Sequence, residues 1–229
     1  MTRDIGRFIR MNNQLIFKFP TNKVYLKEDF YVSSSNKHAY DFINSWPKWI
    51  KRIVNIFGPT GSGKTHLASI LKNKTTTFEI QSNKLNDKVF LQFKTKEALI
   101  IENLDNKISE NLLFSLWNNV LQDNKYLLIT SNKPINTYKF QLPDLNSRIE
   151  SCISFGIKLP DDDLISVILA KSFSDKQINV EKKHIDYIIK RIDRSYEKIS
   201  QFILILDKYS LKKGSPFSLK LIKEVLKMI

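Results

Sequence analysis

The chain has 229 residues, with 37 Lys+Arg against 23 Asp+Glu (formal net charge +14), 42% hydrophobic and 26% charged residues. This length and balance supply enough apolar side chains for a buried core and exclude a disordered polyelectrolyte, and no run approaches the roughly 18 consecutive apolar residues of a membrane span. The single cysteine, Cys152, excludes an internal disulfide and a cysteine-based metal site; with no apolar leader ahead of a cleavage site, a soluble, cytoplasmic protein is expected.

The first twenty residues end at Pro20, lack helical periodicity and read as an extended arm. From His38 to Ile50, the residues Ala39, Tyr40, Phe42, Ile43, Trp46 and Ile50 recur at three- and four-residue steps. That spacing predicts an amphipathic helix, with Pro47 set against an unbroken one. An apolar strand, 53–57, runs into Gly58, and a helix is expected from Lys64 through Leu71. A second apolar run, 98–101, ends in Glu102-Asn103-Leu104-Asp105. A helix over about 110–122 carries Leu113, Leu116, Trp117, Val120 and Leu121 on one face and feeds a third strand, 126–130. Short continuous apolar strands alternating with helices predict an α/β fold, its parallel sheet covered on both faces.

Beyond about Leu159 the pattern is helical only. Asp161 is placed to cap a helix over 162–173, and a second helix carries Ile185, Ile188, Ile189 and Ile192. A third carries Ile199, Phe202, Ile203 and Leu206, and Ser218 is placed to cap the last, 219–228.

The most informative stretch is Gly58-Pro59-Thr60-Gly61-Ser62-Gly63-Lys64-Thr65. It matches the full phosphate-loop pattern GxxxxGK[ST], with the strand before and the helix after that the motif requires. The glycines let backbone N–H groups curl around phosphate oxygens, and the helix start directs its partial positive charge at them. Lys64 is expected to reach the β/γ-phosphates and the Thr65 hydroxyl to bind Mg²⁺. The strand 98–101 delivers Glu102, a carboxylate that can hold the same ion. The following position, where hydrolytic proteins with such loops have a second acid, is Asn103. Asn positions a water but cannot take its proton, so binding of ADP or ATP is better supported than turnover, and intrinsic ATPase activity is expected to be weak or absent.

In combination, GPTGSGKTHLA (58–68), IIENLD (100–105), LLFSLWNNVLQDNKYLLITSNKP (112–134) and LPDLNSRI (142–149) resemble the AAA+ ATPase core of the DnaA family of replication initiators. RIDRSYEKISQFILILDKYSL with FSLKLIKEVL (191–211, 217–226) resembles that family's lid. The resemblance implies an arm (1–22), a P-loop nucleotide domain (23–158) and a helical lid (159–229). The chain stops where DnaA continues into its DNA-reading helix-turn-helix domain, a layout that resembles the DnaA-homologous regulators called Hda. Gln14-Leu15-Ile16-Phe17-Lys18-Phe19 is similar to the peptide by which those regulators bind the polymerase sliding clamp; Gln14, Leu15, Phe17 and Phe19 would be its anchors.

The same resemblance implies further roles. Arg148 matches the arginine finger that acts on a neighbouring subunit's nucleotide. Asn132 matches the sensor facing the γ-phosphate, and Tyr31 and Val32 lie in the adenine-facing segment. Where the family's lid has a phosphate-sensing arginine, this chain has Glu197; Arg194, expected one helical turn earlier, is the candidate replacement. The implied function is promotion of ATP hydrolysis by DnaA on the DNA-loaded clamp, preventing re-initiation, with DNA contact indirect and self-assembly left open. The alternatives are a DnaA-like accessory factor that binds DNA or loads replication proteins, and an autonomous ATPase resembling helicase loaders. Charge does not separate them: 37 − 7 = 30 of the basic residues are Lys, which lacks the bidentate fork of Arg.

Overall fold

The computed structural model describes residues 29–176, 178, 180–213 and 218–229. Five strands form one sheet: β1 (Ile53–Phe57), β2 (Thr77–Gln81), β3 (Ala98–Leu104), β4 (Tyr126–Ser131) and β5 (Ile153–Gly156). Their spatial order is β2-β3-β4-β1-β5, and every pairing is parallel. Neighbouring residues of one strand point to opposite faces. Ile53, Leu99, Ile101, Leu127 and Ile129 enter one core, and Val54, Ile56, Ile100 and Leu128 enter the other. In the inner strands β3 and β4 both faces are buried, so they carry short unbroken apolar runs.

Helices α1 (Lys37–Asn44) and α2 (Lys64–Lys72) cover one face. Helices α3 (Lys88–Phe93), α4 (Glu110–Gln122) and α5 (Pro143–Glu150) cover the other, with Trp117 and Phe93 as its largest fully buried side chains. The helix expected over 38–50 ends early, at Asn44, because Ser45 N–H closes the last turn on Asp41 and Phe42 and Pro47 brings no donor. Trp46 and Trp49 pack from the following loop against Tyr126, while Ile50 is 85% exposed.

After β5 the chain is helical: α6 (Asp162–Asp175), α7 (Lys182–Ile189), α8 (Tyr196–Lys213) and α9 (Leu219–Leu226). They enclose a core of their own, in which Ile199, Phe202 and Leu206 of α8 meet Leu169 and Phe173 of α6 and Ile222 and Val225 of α9. Asp161 caps α6 by accepting from Leu164 N–H at 2.8 Å, and Ser218 caps α9 through Leu221 N–H at 3.4 Å. Among the described residues no helix is long and apolar enough to cross a membrane.

Candidate nucleotide site

The site lies outside the carboxyl ends of β1, β3 and β4, where ligands of open parallel sheets are held. The turn from β1 to α2 is fixed at its root: Gly58 N–H donates to Ser131 of β4 at 3.1 Å, and Ile157 N–H donates to Phe57 at 2.7 Å. Gly61 and Gly63 have φ of 82° and 94°, the left-handed region that side chains avoid. A Cβ at Gly61 would stand 3.1 Å from Tyr196 Cβ, and one at Gly63 would stand 3.0 Å from the Phe30 ring. The loop is thus gripped by the start of α8 on one side and, on the other, by Phe30, which stacks on Tyr40 and meets His66 edge-on.

Inside this turn Lys64 is 6% exposed. Its ammonium donates to the carbonyl oxygens of Gly58 (2.6 Å) and Pro59 (2.9 Å) and to Asn132 Oδ1 (3.3 Å). Burial holds its pKa below the ordinary lysine value, and the charge of Glu102 opposes that shift. These acceptors are all neutral and leave the ammonium charge without an anionic hydrogen-bond partner, which phosphate oxygens would supply. Pro59 and Thr60 form the outer bend, and Thr65 occupies the first turn of α2 beside Lys64.

Two buried polar atoms here lack a protein partner, Ser62 Oγ and Glu102 Oε1. Such atoms cost about 1–3 kcal/mol each when left unpaired. Among the described residues no three carboxylate, histidine or cysteine side chains gather as a metal cluster. A Mg²⁺ ion here would therefore take Thr65 and Glu102 from the chain and its other ligands from phosphate and water, its ordinary mode with nucleotides. The donor set fits a Mg²⁺–nucleotide.

Glu102 and Asn103 stand inside β3 rather than beyond its end. The β3–β4 register shifts between Ile101 and Leu104, a bulge that puts Asn103 at φ 55°. Asn103 N–H donates to Thr130 Oγ1 (3.0 Å), and its carbonyl accepts from Ser82 Oγ (2.7 Å). Its side-chain amide donates to Gln81 Oε1 (2.9 Å).

Of the other sequence-identified residues, Asn132 is brought to Lys64. Tyr31 and Val32 precede a turn closed by Asn36, whose side chain accepts from Ser33 N–H and donates to the Tyr31 carbonyl. That segment is tied to the chain beyond β5 by Lys158 N–H donating to Ser35, and Tyr196, 5% exposed, donates from its phenol to the Lys158 carbonyl at 3.2 Å. Burial pushes the Tyr196 phenol pKa up, against a lowering hydrogen bond with Ser35. Arg148 lies exposed on α5, with no ion pair among the described residues.

Arg194 departs from expectation. It precedes α8, so it does not share a helical face with Glu197, and it pairs with Asp162 at 2.9 Å. Glu197 is exposed and accepts from Gln201 at 3.3 Å. Gln14, Leu15, Phe17 and Phe19 lie outside the described residues. Gln81, Asn55 and Tyr196 were missed in the sequence, because each acts through a partner distant in the chain.

No family model matches the chain. It is 28% identical to the chromosomal replication initiator protein DnaA of Campylobacter jejuni over 233 aligned positions, covering 90% of this chain and 53% of that protein. It is 25% identical to DnaA of Borreliella burgdorferi, over 93% of this chain and 49% of that one. The chain is homologous to the AAA+ domain of DnaA. It spans about half the length of the curated DnaA relatives it matches. Domain III of Thermotoga maritima DnaA superposes with a TM-score of 0.75 at 22% identity, covering 91% of this chain and 98% of that one. AMPPCP-bound DnaA from Aquifex aeolicus gives 0.68 at 19% identity, covering 83% of this chain and 67% of that one. Thermotoga maritima RuvB gives 0.64 at 15% identity, over 85% and 68% respectively. At such identities the structural likenesses establish the fold, the AAA+ arrangement shared by DnaA and RuvB.

Proposed function

We propose that the chain binds ADP or ATP with Mg²⁺ and acts as a DnaA-type regulator of replication initiation. The observation that carries this reading is the turn at Lys64, where a buried ammonium and two unpaired buried oxygens converge at the carboxyl edge of a parallel sheet. Gly58–Thr65 would cradle the phosphates, Asn132 would face the terminal phosphate, and Tyr31 and Val32 would border the base. Thr65 and Glu102 would hold Mg²⁺, which neutralises phosphate charge when bound. Residues 23–158 would form the nucleotide domain and 159–229 the lid.

Turnover is assigned to a partner. Asn103 has no basic oxygen for a water proton, and its side chain is occupied by Gln81. Arg148, exposed and free of ion pairs among the described residues, is available to a neighbouring AAA+ subunit. The reading is therefore an activator that docks on the sliding clamp through Gln14, Leu15, Phe17 and Phe19 and promotes hydrolysis of DnaA-bound ATP.

The deciding experiment measures ATP hydrolysis by DnaA in the presence of DNA-loaded clamp, with wild-type chain or Arg148→Ala. The variant is expected to keep nucleotide binding and clamp retention and to lose stimulation by about 10³-fold or more. Stimulation that survives the change removes the finger. Equal clamp retention of wild type and a Gln14→Ala, Phe17→Ala double variant removes the arm from the mechanism.

A further inference from the structure

Glu102 is 3% exposed, yet only one of its carboxylate oxygens is engaged by the protein. Its Oε2 accepts from Gln81 Nε2 at 2.7 Å, from the residue directly opposite it in the β2–β3 register. Gln81 Oε1 in turn accepts from Asn103 Nδ2 at 2.9 Å. The polarity of this chain of bonds follows from its first member. An ionised carboxylate only accepts, so Gln81 must present its NH₂ to Glu102 and its oxygen to position 103. The residue at 103 must then donate, which Asn does and Asp does not.

We infer that Gln81 is a positioning residue for the metal-side carboxylate, holding Glu102 by one oxygen so that the other stays free for Mg²⁺, with Asn103 setting the orientation of the Gln81 amide. This rests on the reading of the site as a Mg²⁺–nucleotide site and adds a supporting residue to it. Partners behind a metal ligand fix its orientation and raise metal affinity by about 10–100-fold. Asn103 is shaped for the part: Thr130 and Ser82 pin its backbone, and the bulge gives it the positive φ that Asn accepts readily. The residue at the position of a water-activating acid is thus recruited to orient the metal carboxylate instead.

The test is the gain in affinity for a fluorescent ADP analogue on adding Mg²⁺, measured on the full chain, with Mn²⁺ electron paramagnetic resonance as a direct report of the ion. Gln81→Met removes both hydrogen bonds from a half-buried position on the edge strand at little cost to folding. It is expected to cut the Mg²⁺ gain by about tenfold, leaving Mg²⁺-free affinity unchanged. Asn103→Asp keeps a residue tolerant of positive φ but reverses the required polarity. It is expected to give a similar loss, and double substitution no further one. Glu102→Gln is the control for the underlying reading: if it leaves the Mg²⁺ gain intact, Glu102 is not the metal carboxylate and the site reading fails. If Glu102→Gln abolishes the gain while Gln81→Met leaves it at the wild-type value, the site stands and the positioning role of Gln81 is overturned. An Asn103→Asp variant that binds Mn²⁺ more tightly overturns it too, by placing position 103 on the metal.

Discussion

At the carboxyl edge of the sheet, Ser62 Oγ and Glu102 Oε1 are buried without partners, and Lys64 rests on backbone carbonyls. At the start of α8, which packs on the phosphate loop through Tyr196, two charged groups are already partnered: Arg194 by Asp162, Glu197 by Gln201. The first region keeps interactions open for an anion and its cation; the second has closed its own. On the proposed reading, nucleotide recognition would therefore be concentrated in the loop and the strand ends. The bundle contributes shape, through Tyr196 packed on Gly61 and bonded to the Lys158 carbonyl.

That division can be broken from either side. Lys64→Ala removes the charge at the centre of the open region and is expected to weaken ADP binding by about 100-fold, or roughly 3 kcal/mol, by calorimetry; a loss below fivefold would mean that recognition lies elsewhere. Tyr196→Ala empties a buried aromatic site and is expected to lower unfolding stability by about 3 kcal/mol in urea, with a smaller loss of ADP affinity, under tenfold. A nucleotide effect as large as that of Lys64→Ala would make the bundle a recognition element after all. Arg194→Ala should change ADP or ATP affinity least, under threefold, because an ion pair this exposed contributes about 0–1 kcal/mol. A selective loss of ATP over ADP there would show that Arg194 leaves Asp162 to contact phosphate.

Legibility in the sequence followed the same division. Strand β1, helix α4 and the phosphate loop announce themselves through consecutive residues, and the structure places them at 53–57, 110–122 and 58–65. Strand β4 runs one residue past the expected 126–130, to Ser131. Strand β2 escaped because it lies at the sheet edge, and all five of its residues are half-buried, without an apolar run. Four-residue β5 ends in Gly156 and is equally faint. The overlong reading of α1 came from Trp46 and Ile50 keeping helical spacing after the helix had stopped. The helical face expected to be shared by Arg194 and Glu197 is absent because of a single boundary, the start of α8 at Tyr196. Gln81 was beyond reach for a different reason: its role exists only in the β2–β3 register, which no local pattern encodes.

Asn55, in the middle of the interior strand β1, has its side chain wholly buried. It donates to the Ile129 carbonyl (3.1 Å) and Ser131 Oγ (2.8 Å), and it accepts from Ile135 N–H (3.0 Å) and Ser154 Oγ (3.5 Å). One amide thereby rivets three strands and the turn that follows β4. The strand that leads to Lys64 and the strand that leads to Asn132 are bolted to the same plate, so a displacement imposed on one reaches the other without slack, and whatever ligand seats between them meets a rigid jaw rather than two independent fingers.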